Sequence, residues 1–143
     1  MLPLVRLYVR TALLWLVIAM ALGLAQAFAG WRGGPGWLIA MRATVWHMLA
    51  VGWLNQLIWG VAHWMFPAAS REQPRGWLAP AAAAYALLNV GLLLRVVAEP
   101  MLLEGGGGWG AVLAVGGVLQ WLAALGFVLH IWPRVRGPLR RRA

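Results

Sequence analysis

The sequence predicts an all-α integral membrane protein: four transmembrane helices in an up-down antiparallel bundle, with both termini cytoplasmic. Three observations predict it. Hydrophobic residues make up 63% of the 143 residues and the mean hydropathy is +0.76, well beyond the roughly half-apolar, quarter-charged usage of soluble domains. The apolar residues fall in separate runs, each of about the 20 residues that a spanning helix needs. The connections between runs are short and hold the helix breakers, which makes sequential helices antiparallel neighbours in a single transmembrane domain, 1–143.

The first helix is expected over 11–29, after Arg6 and Arg10. These arginines, the apolar core and Ala25-Gln26-Ala27 also resemble a secretory signal with a small-residue cleavage site. The run exceeds the usual apolar core of about 7–15 residues in such signals, so a retained helix is expected. Cleavage would instead leave three helices and an external N-terminus. GWRGGPGW at 30–37 separates this run from a second helix, expected over 44–66. Pro67 to Gly76, with Pro74, precedes a third over 77–97. Glu99 to Gly108, with Pro100 and the run GGGG, precedes a fourth over 109–132, and 133–143 reads as a basic cytoplasmic tail.

The net charge of +9, with no Lys and no Asp, has the sign of a nucleic-acid binder. The distribution argues otherwise. Arg6, Arg10, Arg71, Arg75, Arg134, Arg136, Arg140, Arg141 and Arg142 lie on one side of the expected bundle, whereas Arg32, Arg42 and Arg95 lie on the other. Such a bias sets topology in a bilayer and places both termini inside. The expected partner is lipid and not nucleic acid, in the bacterial cytoplasmic (inner) membrane. Trp31, Trp37, Trp46, Trp64, Trp77, Trp109 and Trp132 fall at or near helix ends, where amphipathic rings sit at headgroup level.

Zero cysteines exclude disulfides, iron–sulfur clusters, thiolate metal sites and heme attached through CxxCH. No nucleophile–base–acid arrangement and no phosphate-binding loop occurs. The chemistry-bearing residues are instead buried in the apolar runs, where each polar group needs a partner or a use. His47 lies about a turn from the outer end of the second helix and His63 about a turn from its inner end. On a straight α-helix they are roughly 24 Å apart and point about 160° apart, so one small site cannot use both. Gln56 and His63 share a face with Gly52, Trp59 and Gly60, while His47 shares one with Val51, Leu54 and Ile58.

His130, in the fourth helix, should lie at nearly the depth of His63. If the two helices face each other there, this pair could clamp a heme iron from both sides or share a metal, with Gly116, Ala123 and Gly126 leaving room for a broad group. Histidines near a helix end also snorkel to headgroups. Asn55, Gln56, Asn89 and Gln120 form a midplane layer of amides, expected to hydrogen-bond between helices. No acidic residue lies in any run, which argues against a carboxylate proton relay.

The second run stands as HMLAVGWLNQLIWGVAHWMFP, His47 to Pro67. It resembles helix II of the large subunit of heme-copper oxidases and nitric oxide reductases, and still more the small four-helix proteins described as cytochrome oxidase subunit I-like, in which the stretch reads like HLxLLGWVxxxIxGxxYxxFP. A weaker likeness continues through LLNVGLLLRVVAEP at 87–100 and LQWLAALGFVLHIWPRVR at 119–136. In that family the helix II histidine is an axial ligand of a low-spin heme b, so the resemblance implies His47 as heme ligand and Arg42 and Arg95 as propionate partners. For Arg95 the alternative is an ordinary pair with Glu99 at i+4. The helices that carry the oxidase active site are absent from 143 residues, so independent catalysis is not expected. A second axial ligand would have to come from a homodimer partner or from a respiratory complex subunit. His63 stands where the family motif has tyrosine.

The resemblance thus implies a respiratory-type heme b protein for electron transfer or gas sensing. A cofactor-free structural or assembly subunit is the alternative. Copper handling through His47 with Met41 and Met48 fits less well, because neighbouring helical residues point about 100° apart.

Overall fold

The structure, a computed structural model, describes residues 3–66, 78–103, 105 and 107–135. Every regular element among them is helical. In chain order they are α1 (Pro3–Arg32), α2 (Gly36–Ala40), α3 (Arg42–His47), a π-helical segment (Met48–Asn55), α4 (Gln56–Met65), α5 (Leu78–Leu103) and α6 (Trp109–Val135). The elements from α2 to α4 run end to end as one long rod. With α1, α5 and α6 this gives four helices long and apolar enough to cross a membrane.

The expected helices are all present, and longer than the hydropathy runs. α1 ends where Gly33 takes φ 77° and Gly34 N–H donates to the Ala29 carbonyl at 2.7 Å. That bond and the positive φ are the marks of a Schellman cap, which glycine supplies without strain. Gln26 Nε2 donates across the turn to the Leu38 carbonyl at 2.9 Å, tying α1 to α2. Pro100 and Pro133 both lie inside helices, α5 and α6. Pro100 was expected to end the third helix. In an apolar setting, neighbouring helices and local adjustments make a helical proline tolerable. For the same reason Arg134, expected in a basic tail, belongs to the last turn of α6. The remaining tail arginines, together with Arg71, Arg75 and Trp77, lie outside the described residues.

The π segment alters the helical-wheel arithmetic. Its i→i+5 bonding winds more residues into each turn, so every residue turns through less than the α-helical angle. The buried positions therefore advance in steps of four: Thr44, Met48, Gly52, Gln56 and Gly60 are all buried. The large separation expected between the His47 and His63 faces assumed a straight α-helix and does not carry over. His47 is half-buried, at the margin of the packed face.

The rods pair into two close-packed hairpins, α1 with the composite rod and α5 with α6. Bare backbone makes the second possible. A Cβ on Gly91 would stand 2.6 Å from the Gly116 carbonyl oxygen, so these helices touch main chain to main chain. Between the hairpins a ladder of hydrogen bonds runs through an apolar seam. Tyr8 donates to the Ala81 carbonyl at 2.8 Å, the Thr11 and Tyr85 hydroxyls meet at 2.7 Å, and Trp15 Nε1 donates to Asn89 Oδ1 at 2.8 Å. These bonds climb α1 and α5 one turn at a time, as i, i+3 and i+4 neighbours on parallel helices must. Around them, one apolar cluster joins Tyr8, Trp59, Ala84, Leu88 and Ala123. A second joins Trp15, Ala19, Met48 and Leu92.

The outward faces are apolar, with Leu14, Val17, Met20, Val118 and Leu129 all exposed. Trp31, Trp37, Trp64 and Trp132 are exposed near helix ends, as a belt arrangement requires, whereas Trp46 is exposed well inside the composite rod.

Candidate functional site

Two groups of polar side chains occupy opposite ends of the bundle. At the His47 end, α3 begins at Arg42, which is exposed. His47 Nδ1 lies 2.9 Å from the Ala43 carbonyl one turn back. Since a carbonyl only accepts, Nδ1 is the protonated nitrogen and Nε2 keeps its lone pair in the neutral ring. Glu99 of α5 gathers the neighbouring polar groups. It accepts from the buried Thr44 hydroxyl and pairs with Arg95 at 3.5 Å, one turn before it on α5. The i+4 pairing of Arg95 is thus formed, and any second anion meeting Arg95 must share it with Glu99.

At the other end, His63 of α4 and His130 of α6 come together as their common depth suggested. Their ring centroids are 5.1 Å apart with planes inclined by 16°. His63 is 3% exposed, and its Nδ1 donates to the Trp59 carbonyl at 2.7 Å. The rings of Tyr8, at 5.4 Å, and Phe127, at 5.5 Å, flank it. The Nε2 atoms of both histidines are buried without a hydrogen-bond partner. Arg134 is the residue sequence reasoning missed. It is buried, and its Nη2 donates to the His63 carbonyl at 3.2 Å and the Phe66 carbonyl at 2.7 Å. These carbonyls lie in the last turn of α4 and just beyond it, so the guanidinium caps that helix from α6.

The two ends differ in what they can hold. A heme iron clamped by two histidines has the porphyrin plane between them. With metal–nitrogen bonds of about 2 Å and ring centres about 1.1 Å farther out, the centroids would be roughly 6 Å apart across that plane. The inner pair is closer, nearly parallel, and hemmed in by Tyr8 and Phe127. The small-residue face meant to admit a broad group is also occupied: Gly116 abuts Gly91, Ala123 is in the core cluster, and Phe127 stacks on Trp59 at 4.4 Å. The inner pair therefore does not fit a porphyrin. His47 is a half-buried imidazole whose orientation is fixed by a backbone carbonyl, as that of His63 is, with Nε2 left free. Among the described residues no other histidine lies at its end, and none forms a cluster of three or more metal-ligating side chains.

Of the four amides expected to bond between helices, Asn89 and Gln56 do so. Asn89 accepts from Trp15, and Gln56 Nε2 donates to the Tyr8 carbonyl at 3.3 Å. Gln56 Oε1 and Gln120 Nε2 are buried without a partner.

No family model, no curated protein and no solved structure matches this chain.

Proposed function

We propose that this chain is a multi-pass protein of the bacterial cytoplasmic membrane, termini inside, that holds a heme b at His47 and passes electrons beside a respiratory complex. The observation that carries the reading is the His47 ring, whose Nδ1 is committed to the Ala43 carbonyl at 2.9 Å. That bond selects the tautomer with a basic Nε2 and fixes the ring's direction before any iron arrives. The π segment beginning at the next residue adds support, since π turns concentrate at functional positions. The sequence likeness to the oxidase helix II motif falls on this same histidine.

Bound heme would supply one-electron redox chemistry. The protein's part is to present a neutral imidazole and to place cations where propionates emerge. Arg42, exposed five residues before His47, offers a bidentate fork. Arg95 would act through its pairing with Glu99. A second iron ligand would have to come from a two-fold partner or a neighbouring subunit, because this chain brings no second histidine to that end.

The test is the visible spectrum of detergent-purified protein from heme-sufficient cells. A Soret band, with α and β bands on reduction, that is lost in His47→Ala and kept in His63→Ala supports the reading. A colourless wild-type protein overturns it and leaves a cofactor-free structural or assembly subunit. Size-exclusion elution of each variant checks that loss of colour is not loss of fold.

A further inference from the structure

We infer that Thr44 is a positioning residue for His47: its hydroxyl fastens the short segment α3 to Glu99 of α5 and so sets the direction in which the His47 ring points. The purpose of that direction rests on the heme reading, whereas the direction itself belongs to the chain.

Little else fixes the rotation of α3. It is six residues long, well short of the roughly 12 to 15 that hold together unaided, so its neighbours decide its azimuth. Met41, with ψ 12°, interrupts the winding before it, and the π segment begins directly after it. Arg42 and Trp46 are exposed, while Thr44 and Val45 are buried. Apolar contacts at Val45 tolerate a small turn of the helix, but a hydrogen bond weakens steeply as its angle closes from linear. Among the described residues, Thr44 makes the one side-chain hydrogen bond from α3 to another helix.

The acceptor is itself held. Glu99 receives Thr44 on Oε2, and its Oε1 lies 3.5 Å from Arg95 Nη1, one turn back on α5. Each oxygen of the carboxylate therefore has a partner, and the group cannot swing without losing one. Thr44 and His47 are three residues apart, roughly 4.5 Å along the axis and about 60° around it, so an azimuth set at one is passed to the other. The Ala43 carbonyl then fixes the ring to α3 at 2.9 Å. Two hydrogen bonds in series, ring to α3 and α3 to α5, tie the imidazole to the bundle.

The chain has no cysteine, so a pair of spin labels can be attached through cysteines placed at will. Trp46→Cys on α3 and Val97→Cys on α5, both at exposed positions, report the separation of the two helices in detergent-purified, heme-free protein by electron paramagnetic resonance. Thr44→Val, which keeps the shape and loses the hydroxyl, should shift or broaden that distance, and Thr44→Ser should restore it. Glu99→Leu, which removes the acceptor, should reproduce the Thr44→Val distances and serves if Thr44→Val does not fold. In heme-loaded protein, Thr44→Val should weaken heme binding about tenfold, the lower end for changes around a metal ligand. It should also alter the g-anisotropy of the ferric iron, which reports the plane of an axial imidazole. Tyr8→Phe, which deletes a bond to the Ala81 carbonyl at the other end, should leave both heme readouts unchanged, separating position from general stability. Wild-type distances in both Thr44→Val and Glu99→Leu overturn the positioning role whatever the heme result. Shifted distances with unchanged g-values and heme affinity overturn it as well, since α3 would then move without the ring. A colourless wild type overturns the heme reading, and the label distances then judge Thr44 alone.

Discussion

The two ends of the bundle meet the same demand, polar side chains on apolar helices, in opposite ways. At the His47 end the polar groups satisfy one another: Glu99 receives Thr44 and Arg95 together, and the His47 ring is half-buried and bonded to its own helix. At the His63 end the cation is spent on main chain. Arg134 caps two carbonyls at the end of α4, and the two histidines beside it keep unpartnered nitrogens. A closed network stabilises a joint between helices, whereas buried nitrogens without a partner carry a desolvation cost that the surrounding packing must offset.

The largest expected effect is at the His63 end. Arg134→Ala strands two carbonyl oxygens and should cost about 3 kcal/mol, while Arg42→Ala, at an exposed position, should change stability by less than about 0.5 kcal/mol. Chemical unfolding in detergent measures both. Equal effects would erase the contrast between the ends. Next comes Gly60→Ala, whose new methyl would sit 2.9 Å from Tyr8 Cβ. Overpacking there should cost about 2 kcal/mol. The same change at Gly117, which lies inside α6 with open space around it, should stabilise by up to about 1 kcal/mol, since alanine is the better helix former. At the other end, Glu99→Gln removes the ion pair with Arg95 but keeps an acceptor for Thr44, for a loss of about 1 kcal/mol in the same assay. The smallest effect is between the ends, where Trp15→Phe deletes one bond of the interhelical ladder at about 0.6 kcal/mol, the average for such bonds in membrane proteins. A loss several times larger would mean that the ladder, and not the hairpin packing, holds the two halves together.

Helix number and order were legible because length and hydropathy act over twenty residues at a time and tolerate local irregularity. The meeting of His63 and His130 was legible for a related reason: counting residues from two helix ends gives depth without knowing the packing. The role of Arg134 was hidden because an arginine next to a proline at the end of an apolar run looks like a topology signal, and only the approach of α6 to α4 shows which carbonyls it reaches. The π segment was hidden more deeply. Met48 to Asn55 has no composition that distinguishes π from α winding, since the choice is made by which faces must pack against Trp15 and Leu92. The space expected around Gly116 and Ala123 was misjudged because a small residue signals close approach but not of what. Here the visitor is the chain's own α5.

The π segment also sets the phase between the two halves of the composite rod. Eight residues that each turn through less than about 100° sweep nearly the angle of seven α-helical residues, so the wide winding absorbs one extra residue. Deleting one residue between Met48 and Asn55 would let i→i+4 bonds run straight through with Thr44 still turned toward Glu99, whereas full-length α winding would turn Thr44 and His47 away from their present direction. The segment is thus an angular correction written into the backbone, and it keeps the direction of the His47 ring independent of one residue of chain length.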